Sequence, residues 1–536
     1  MYQDGKILLG KSGDENVYIY PQMLNRHGLI AGATGTGKTV TLKVLAESFS
    51  DCGIPVFLAD AKGDLAGMCQ PGEEGGSASE RVEKMGLASL GFQFRSYPSV
   101  YWDVYQEKGI PLRTTISEMG PLLLSQILDL NETQTDILTV IFKIADDENL
   151  LLVDTKDLKS MIAYVGEHAK DYALTYGNLA HQSLAAITRS IVALEAEGGE
   201  MFFGEPALDI KDWISTNSEG KGMINILACE KLMQNPTMYS TFMLWMMSEL
   251  YELLPEAGDL DKPRIVFFFD EAHMLFQNAS KNLLNKVEQV VKLIRSKGVG
   301  IFFITQNPSD IPDGILAQLG SKVQHALHAY TPKEQKGAKA ASESFRANPA
   351  FDTYEALINL GIGEALVSVL DESGVPTVVQ QAKILPPQSL MGPIDDSVRT
   401  GIINACSLYP KYSEFYDRDS AYEFLVRKAN MDAEALAQAK AQLEEEKAAA
   451  KAAAQAEREA KKEQERLEKE EAAKEKRRLS EMKKVGSSAA GTIGRQVGNT
   501  IGQAIGGKFG KTLGGNVGAS IGRGILNTIL GRRQGQ

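Results

Sequence analysis

Residues 32–39 read Gly-Ala-Thr-Gly-Thr-Gly-Lys-Thr and match the phosphate-loop pattern G-x-x-x-x-G-K-[S/T]. The apolar run 28–31 precedes them and the apolar-periodic segment 40–49 follows, as the strand and the helix that flank such a loop. Glycines let backbone N–H groups wrap phosphate oxygens, and the positive end of the next helix faces the same anion. The sequence therefore predicts a nucleoside triphosphate site. Its predicted binding residues are Gly32, Thr34, Gly35, Thr36, Gly37, Lys38 and Thr39.

Two carboxylates follow another apolar strand and could complete the chemistry of a triphosphate site. The run 264–269 leads directly into Asp270 and Glu271. An aspartate at a strand tip can hold the water shell of Mg²⁺ together with the Thr39 hydroxyl, while Lys38 reaches the β- and γ-phosphates. The following glutamate can orient and deprotonate the water that attacks the γ-phosphate. The sequence thus predicts hydrolysis, with Thr39 and Asp270 as metal ligands and Glu271 as the base.

Polar residues end two more predicted strands. The run 300–305 ends at Gln306. This side chain can hydrogen-bond the γ-phosphate and the attacking water, and so sense the terminal phosphate; a plain polar strand end is the alternative. The run 55–60 ends at Asp60, close to Asp64. Because ligands gather at the carboxyl ends of parallel strands, these carboxylates either lie near the nucleotide or cap their own loop.

The succession of strand and helix patterns predicts an α/β fold with a mainly parallel sheet. Helical periodicity dominates residues 120–200, and strand patterns resume after them. The predicted parts, in order, are a lead-in hairpin (1–27), the first part of the sheet core (28–119), an inserted helical subdomain (120–200), the second part of the core (201–393), a helical appendix (394–430), a charged helix (431–484) and a glycine-rich basic tail (485–536).

The last hundred residues differ from the rest in composition. Residues 431–484 are almost entirely Ala, Glu and Lys, with opposite charges four residues apart, which predicts a long helix. Apolar a and d positions are not sustained, so a solvated single helix is favoured over a coiled coil. Beyond residue 485, glycine recurs every fourth residue from Gly494 to Gly522 among basic residues. We expect this tail to become ordered on self-association or on an anionic membrane surface, the alternative being a disordered tail.

The cysteine spacing, the apolar runs and the net charge indicate the cellular compartment and the kind of partner. The four cysteines are scattered without a C-x-x-C pair, which predicts a reducing environment rather than a disulfide framework. The first twenty residues lack a signal-peptide core, and no run of eighteen apolar residues occurs, so we expect a cytoplasmic protein. The net charge is −12, and the tail is basic, so the body is more acidic still. This charge argues against nucleic-acid binding over the whole outer surface and is compatible with a locally basic pore.

The phosphate loop, the Asp-Glu strand and the Gln-tipped strand, in that order, resemble the RecA-like class of ATPases with an extra catalytic glutamate. The segments 26–32, 293–300 and 304–312 are similar more narrowly to the HerA/FtsK superfamily of P-loop ATPases, and within it to the bacterial HerA-like family typified by YjgR. This resemblance covers about residues 5–385. It implies a RecA-like P-loop NTPase fold, ATP and Mg²⁺ as cofactors, and a homo-oligomer, with a hexameric ring favoured. It also implies translocation of double-stranded DNA and an arginine that enters the neighbouring subunit's site, which motif position assigns to Arg295.

The chain departs from this pattern before the strand that leads into the loop, where only about 27 residues stand, and at three polar positions. Asn307 stands where an arginine often follows the sensor, and His325 and His328 stand where HerA-type sequences tend to carry arginine. The favoured function is a DNA-translocating ATPase motor. One alternative is an ATP-driven switch or assembly protein that moves no nucleic acid. A second is a scaffold without hydrolysis, against which the intact Lys38 and Glu271 argue.

Overall fold

One large sheet lies at the centre of the unit Met1–Ala433. The structure, a computed structural model, describes residues 1–258, 260–276 and 281–482. Within these ranges the sheet has thirteen strands. They are β1 (Tyr2–Gln3), β2 (Lys6–Ser12), β3 (Glu15–Ile19), β4 (Gly28–Ala31), β5 (Val56–Asp60), β6 (Ser99–Asp103), β7 (Ile110–Pro111), β8 (Ile224–Ala228), β9 (Ile265–Phe269), β10 (Val299–Thr305), β11 (Ser321–His325), β12 (Glu364–Ser368) and β13 (Gln380–Ile384).

The strand order is β1-β2-β13-β12-β11-β4-β10-β9-β5-β8-β6-β7, with β3 paired to β2. Every pairing from β11 across to β7 is parallel. The pairings that join β11, β12, β13 and the N-terminal strands are antiparallel. The predicted α/β fold with a mainly parallel sheet is confirmed. The N-terminal hairpin extends this same sheet, because β2 pairs with β13.

Helices connect the strands and cover both faces of the sheet. They are α1 (Lys38–Asp51), α2 (Ser77–Lys84), α3 (Ile116–Ile127), α4 (Glu132–Asp147), α5 (Thr155–Glu167), α6 (Ala169–Tyr176), α7 (His181–Ala196), α8 (Gly199–Phe202), α9 (Pro236–Leu253), α10 (Lys281–Ile294), α11 (Asp313–Leu316), α12 (Pro332–Glu343), α13 (Thr353–Ile358), α14 (Asp396–Ala405), α15 (Tyr409–Tyr412) and α16 (Ala421–Met482).

The strand β9 illustrates how the sheet is buried on both faces. Its sequence, Ile-Val-Phe-Phe-Phe, is buried throughout. Phe267 and Phe269 belong to one hydrophobic core, which includes α9, whereas Val266 and Phe268 belong to a second core, which includes α1. A parallel strand covered on both faces is a continuous apolar run rather than an alternating one. This burial fixes where β9 ends and therefore where the two residues that follow it lie.

The segment between β7 and β8 is helical, as its periodicity predicts. Helices α3 to α8 occupy it, and α3 begins at Ile116, before the predicted boundary at residue 120. Thr115 sets this earlier start, because its hydroxyl accepts from the backbone N–H of Glu118 and the Glu118 side chain accepts from the Thr115 N–H. Asn131 and Asp154 begin α4 and α5 with the same reciprocal pair of bonds. Side-chain capping, rather than apolar periodicity, therefore decides these boundaries.

The C-terminal helix α16 begins ten residues before the predicted charged helix. Its first turns lie inside the segment 394–430, which the sequence assigns to a separate appendix. Ala421 and Leu425 are buried in the main core. Ser420 and the Tyr422 N–H donate to the carboxylate of Asp157 at 2.6 and 2.7 Å. These contacts, which composition does not reveal, set the start of the helix.

From Glu434 onward the chain forms a second unit. Its part of α16 has nearly all described side chains exposed, as expected of a solvated helix. The predicted glycine-rich tail, 485–536, lies outside the described residues. Within the described ranges, no helix combines the length and the apolar character needed to cross a membrane.

Candidate active site

The phosphate loop joins β4 to α1 at the carboxyl end of the sheet. Gly37 precedes the first helical residue, Lys38, with φ +117°, a conformation that only glycine adopts without strain. A Cβ atom on Gly32 would lie 2.5 Å from the Cβ of His325, so the loop approaches β11 closely. The other predicted loop residues lie along the turn, namely Thr34 and Gly35, which are exposed, Thr36, which is buried, and Thr39, which is half-buried.

The Lys38 side chain folds back onto its own loop. Its Nζ donates to the carbonyl oxygens of Gly32 at 2.6 Å and Ala33 at 3.0 Å. Burial lowers the pKa of Lys38, and the charges of Glu271 and Asp270 oppose that shift. The ammonium group is therefore bonded to the loop carbonyls and lies in the field of the two carboxylates that follow β9.

The ring of His325 at the end of β11 bonds to α1 and so supports the phosphate loop, a role that the sequence did not reveal. Its Nδ1 lies 2.9 Å from the carbonyl oxygen of Glu364, and its Nε2 lies 2.8 Å from the hydroxyl of Thr41 on α1. Because a carbonyl only accepts, Nδ1 carries the proton and Nε2 accepts from Thr41. Burial lowers the pKa of His325 to about 4, so the ring is neutral at neutral pH.

Asp270 follows β9 directly and lies near the start of the phosphate loop along the sheet. β10 lies between β4 and β9 and is in register with both, so their carboxyl ends lie within two residues of each other along the sheet. Asp270 is 9% exposed, and burial, followed by the charge of Glu271, raises its pKa to about 6. Its Oδ1 accepts from the Glu271 N–H at 2.9 Å.

Asp270 and the hydroxyl of Thr39 are oxygen donors of the kind that Mg²⁺ prefers. No group of three or more His, Cys, Asp or Glu residues suited to a metal occurs among the described residues. A cation at this edge would therefore take most of its ligands from phosphate and water oxygens, which is the usual mode of Mg²⁺ in triphosphate sites. The residues present fit the predicted metal.

Glu271 is enclosed by polar side chains. Its backbone is left-handed, with φ +47°, and its side chain is only 10% exposed. Oε1 accepts from the Nζ of Lys62 at 3.1 Å. Oε2 accepts from the Nε2 of Gln306 at 3.4 Å, and the Nδ1 of His273 lies 3.4 Å from the same oxygen. The predicted base and the predicted sensor, which come from different strands, are thus in contact.

The loop after β5 carries Lys62 into this site. The carboxylate of Asp60 accepts from the backbone N–H groups of Lys62, Gly63 and Leu65 at 3.3, 2.8 and 3.1 Å. Of the two interpretations of Asp60, the structure shows the loop cap. Burial, followed by the charge of Asp64, raises the pKa of Asp60 to about 7.

Arg295 lies at the other end of the sheet. It starts the single turn Arg295–Lys297, which connects α10 to the amino end of β10, and its side chain is exposed. Seven residues of β10 then run toward the phosphate loop, a distance of roughly 20 Å. Arg295 and the phosphate loop of the same chain are therefore not brought together.

His27 joins the elements on either side of Arg295. Its Nε2 lies 2.9 Å from the carbonyl oxygen of Val291 on α10, and its Nδ1 accepts from the N–H of Ile301 on β10 at 3.1 Å. Burial lowers the pKa of His27 to about 4, so this ring is also neutral. The turn that carries Arg295 is thereby tied to the sheet at both ends.

Comparison with known proteins agrees with this geometry. The family described as Helicase HerA-like C-terminal matches residues 6–531. A probable helicase of Methanocaldococcus jannaschii is 28% identical over 154 residues, which are 27% of this chain and 28% of that protein. The DNA double-strand break repair helicase HerA of Saccharolobus solfataricus is 23% identical over 376 residues, which are 68% of this chain and 66% of that protein. The chain thus spans 28% and 66% of these two relatives.

A solved structure shares the fold. The bacterial conjugative coupling protein TrwBdeltaN70, in its unbound monoclinic form, superposes with a TM-score of 0.50 at 14% identity. The superposition covers 74% of this chain and 93% of that protein. The parallel sheet with a phosphate loop is therefore an architecture already known from a solved structure.

Proposed function

The chain belongs to the Helicase HerA-like C-terminal family, and from this premise we propose that it is a HerA/FtsK-type ATPase that hydrolyses ATP with Mg²⁺. The observation that carries the proposal is the convergence at one sheet edge. Lys38 lies in the field of Asp270 and Glu271, and Glu271 is hydrogen-bonded to Gln306. A phosphate-binding lysine, a metal-binding aspartate, a base and a sensor are the parts that triphosphate hydrolysis requires.

Each residue has a defined task in this reaction. Lys38 and the loop N–H groups hold the β- and γ-phosphates, and Thr39 with Asp270 binds the metal, which when bound neutralises charge on the phosphate oxygens. Glu271 orients the attacking water and accepts its proton at a carboxylate oxygen. Gln306, already in contact with Glu271, is placed to align the same water.

The assembly we propose is a homo-oligomer, with a hexameric ring favoured, in which Arg295 acts on the site of the neighbouring subunit. The support is its position: Arg295 is exposed and stands at the sheet end away from its own phosphate loop. An arginine supplied in trans stabilises the charge that develops on the transferred phosphoryl group.

The polymer we propose is double-stranded DNA, moved by the ATPase as a translocase. The support is the family, together with the relative described as a DNA double-strand break repair helicase. An ATP-driven switch that moves no nucleic acid is the second candidate, and the net charge of −12 favours it.

The ATPase rate, measured with and without double-stranded DNA across a salt series, tests these candidates. A translocase should show stimulation that declines as salt rises, because phosphate contacts release counterions. The Lys38→Ala variant is the control for contaminating ATPase. A rate in the wild type that is indifferent to both duplex and single-stranded DNA at low salt would favour the switch.

We further propose an anionic membrane surface as a partner of the basic tail, 485–536. The tail carries six basic residues and no acidic one, which suits anionic headgroups. Flotation of the full chain with vesicles that contain anionic lipid should exceed flotation with neutral vesicles. Equal flotation of a chain that ends at residue 484 would contradict this assignment.

A further inference from the structure

Lys62 lies in the candidate active site without a task in the reaction described above. The loop that carries it is held at three points by Asp60, whose carboxylate is bonded to the N–H groups of residues 62, 63 and 65. Gly63, the next residue of this loop, lies close to Glu230, since a Cβ on Gly63 would lie 2.7 Å from Oε1 of Glu230. The backbone is thus fixed, while the Lys62 side chain is 54% exposed and its four-carbon stem can turn.

The ammonium group of Lys62 is bonded to the carboxylate that we propose as the base. Its Nζ donates to Oε1 of Glu271 at 3.1 Å. Burial, and to a smaller extent the positive charge of Lys62, lower the pKa of Lys38, so the two lysines are close enough to repel each other. Burial lowers the pKa of Lys62, but Glu271, Asp270 and Asp64 raise it further, so the net shift is upward and the side chain is a cation.

We propose that Lys62 exchanges partners during the ATPase cycle. In the structure it donates to Oε1 of Glu271; when Lys38 binds the triphosphate, Lys62 moves to the terminal phosphate and leaves that oxygen to the attacking water. The inference rests on the proposed hydrolysis. A terminal phosphate carries close to two negative charges against one on a carboxylate, and an ammonium group has three rotatable donors with which to follow it.

This exchange ties the release of the base to the identity of the nucleotide. ADP lacks the terminal phosphate, so it cannot draw Lys62 away from Glu271. ATP can, and Glu271 then becomes free at the moment when there is a phosphate to attack. Lys62 is accordingly a positioning residue for Glu271 and a determinant of the preference for ATP over ADP.

Equilibrium binding to the full chain tests the first half of the proposal. Calorimetry with the ATP analogue AMP-PNP and with ADP, both with Mg²⁺, is compared between wild type and Lys62→Ala. Loss of a charged hydrogen bond should weaken AMP-PNP binding roughly tenfold or more and change ADP binding less than about twofold. Lys62→Arg, which keeps the charge, should retain most of the preference.

Lys108→Ala is the matched control. Lys108 is 44% exposed and forms an ion pair at 2.8 Å with Glu230, beside the same loop but outside the site. This variant should bind both nucleotides as the wild type does. A Lys62→Ala protein that loses affinity for AMP-PNP and ADP equally, or for neither, would overturn the proposal, because a merely structural lysine does not distinguish them.

A double-mutant cycle tests the second half. Glu271→Gln removes the carboxylate that competes for Lys62, so its gain in AMP-PNP affinity should be several-fold larger when Lys62 is present than in the Lys62→Ala background. Equal gains in the two backgrounds would mean that the residues act independently and would overturn the exchange. Failure of the wild type to bind AMP-PNP would instead contradict the proposed function itself.

Discussion

The two ends of the parallel sheet differ in how their charged side chains are accommodated. At the carboxyl end, Lys38 and Lys62 stand against Asp270 and Glu271, so opposite charges compensate each other within one chain. At the amino end, Arg295 projects into solvent from a short turn. A single chain therefore carries paired lysines and carboxylates at one end of the sheet and presents an arginine at the other. Under the proposed function, a full site then requires two chains.

A neutral, buried histidine stabilises each end. His325 bridges α1 and the start of β12 beneath the phosphate loop, and His27 bridges α10 and β10 beside Arg295. Each ring uses both nitrogens, one as donor and one as acceptor, which only the neutral form allows. The same kind of contact thus holds the phosphate loop and the turn that presents an arginine.

The largest effect is expected from Arg295→Ala. If the arginine acts on a neighbouring subunit, hydrolysis should fall by roughly 10³ or more, while nucleotide affinity stays nearly intact because the residue is remote from its own loop. Steady-state ATPase rates and calorimetry measure the two quantities. Mixing this variant with Lys38→Ala subunits should restore some activity at hybrid interfaces. A monomer by light scattering, together with no rescue in the mixture, would make Arg295 structural.

The next largest effect is expected from Glu271→Gln at the opposite end of the sheet. Removal of a general base should lower turnover by roughly 10² to 10⁴, while ATP still binds because the phosphate contacts remain. Lys38→Ala should instead weaken binding itself, through the loss of a charge-assisted contact to phosphate. Single-turnover hydrolysis and equilibrium binding separate the two cases. Near-normal turnover by Glu271→Gln would remove the base assignment.

The sequence predicted the groups whose position follows from strand ends. Asp270 and Gln306 each follow directly after an apolar strand, Lys38 ends the loop that follows another, and parallel strands bring their carboxyl ends to one edge. The supporting groups were not predicted, because a buried histidine such as His325 and a loop lysine such as Lys62 follow no periodicity. The available signal for Lys62 was its position, two residues beyond the end of a strand whose carboxyl end lies at the site.

The start of the C-terminal helix was not predicted either. The start of α16 depends on contacts between Asp157 and a segment more than 260 residues later in the chain. Composition predicts the charged, solvated part of that helix. It does not predict the first turn, which these contacts anchor. Local patterns therefore define the strands and the phosphate loop well, whereas long-range side-chain contacts define where α16 begins and which groups surround Glu271.

Both histidines should make the fold sensitive to acid. Burial lowers the pKa of His27 and of His325 from 6.5 to about 4. Above pH 6.5 the folded and unfolded chains are both neutral at these rings and no effect arises. Between pH 6.5 and 4 the unfolded chain takes up the proton first, so the free energy of unfolding falls by up to about 3 kcal/mol for each ring.

Urea unfolding of the wild type and of His325→Asn, from pH 7.5 to 4.5, measures this contribution. Asp60 and Asp270, whose pKa values are raised to about 7 and 6, act in the opposite direction in the same range, so the difference between the two proteins is the informative quantity. The variant should be less stable at pH 7.5, and its deficit should shrink as the pH falls. A constant deficit would mean that the histidine does not titrate in this way.

The smallest effects are expected from replacing the buried histidine at each end of the sheet. His27→Asn and His325→Asn make the same change at opposite ends of the sheet. Each loses about two hydrogen bonds, worth about 1 kcal/mol apiece. His325→Asn should weaken ADP binding roughly tenfold, because the phosphate loop loses its support. His27→Asn should leave ADP binding unchanged and lower turnover by a similar factor, because the turn that presents Arg295 is loosened. If both variants weaken ADP binding equally, the two ends are not functionally separate, and the assignment of Arg295 to a neighbouring site loses its main structural argument.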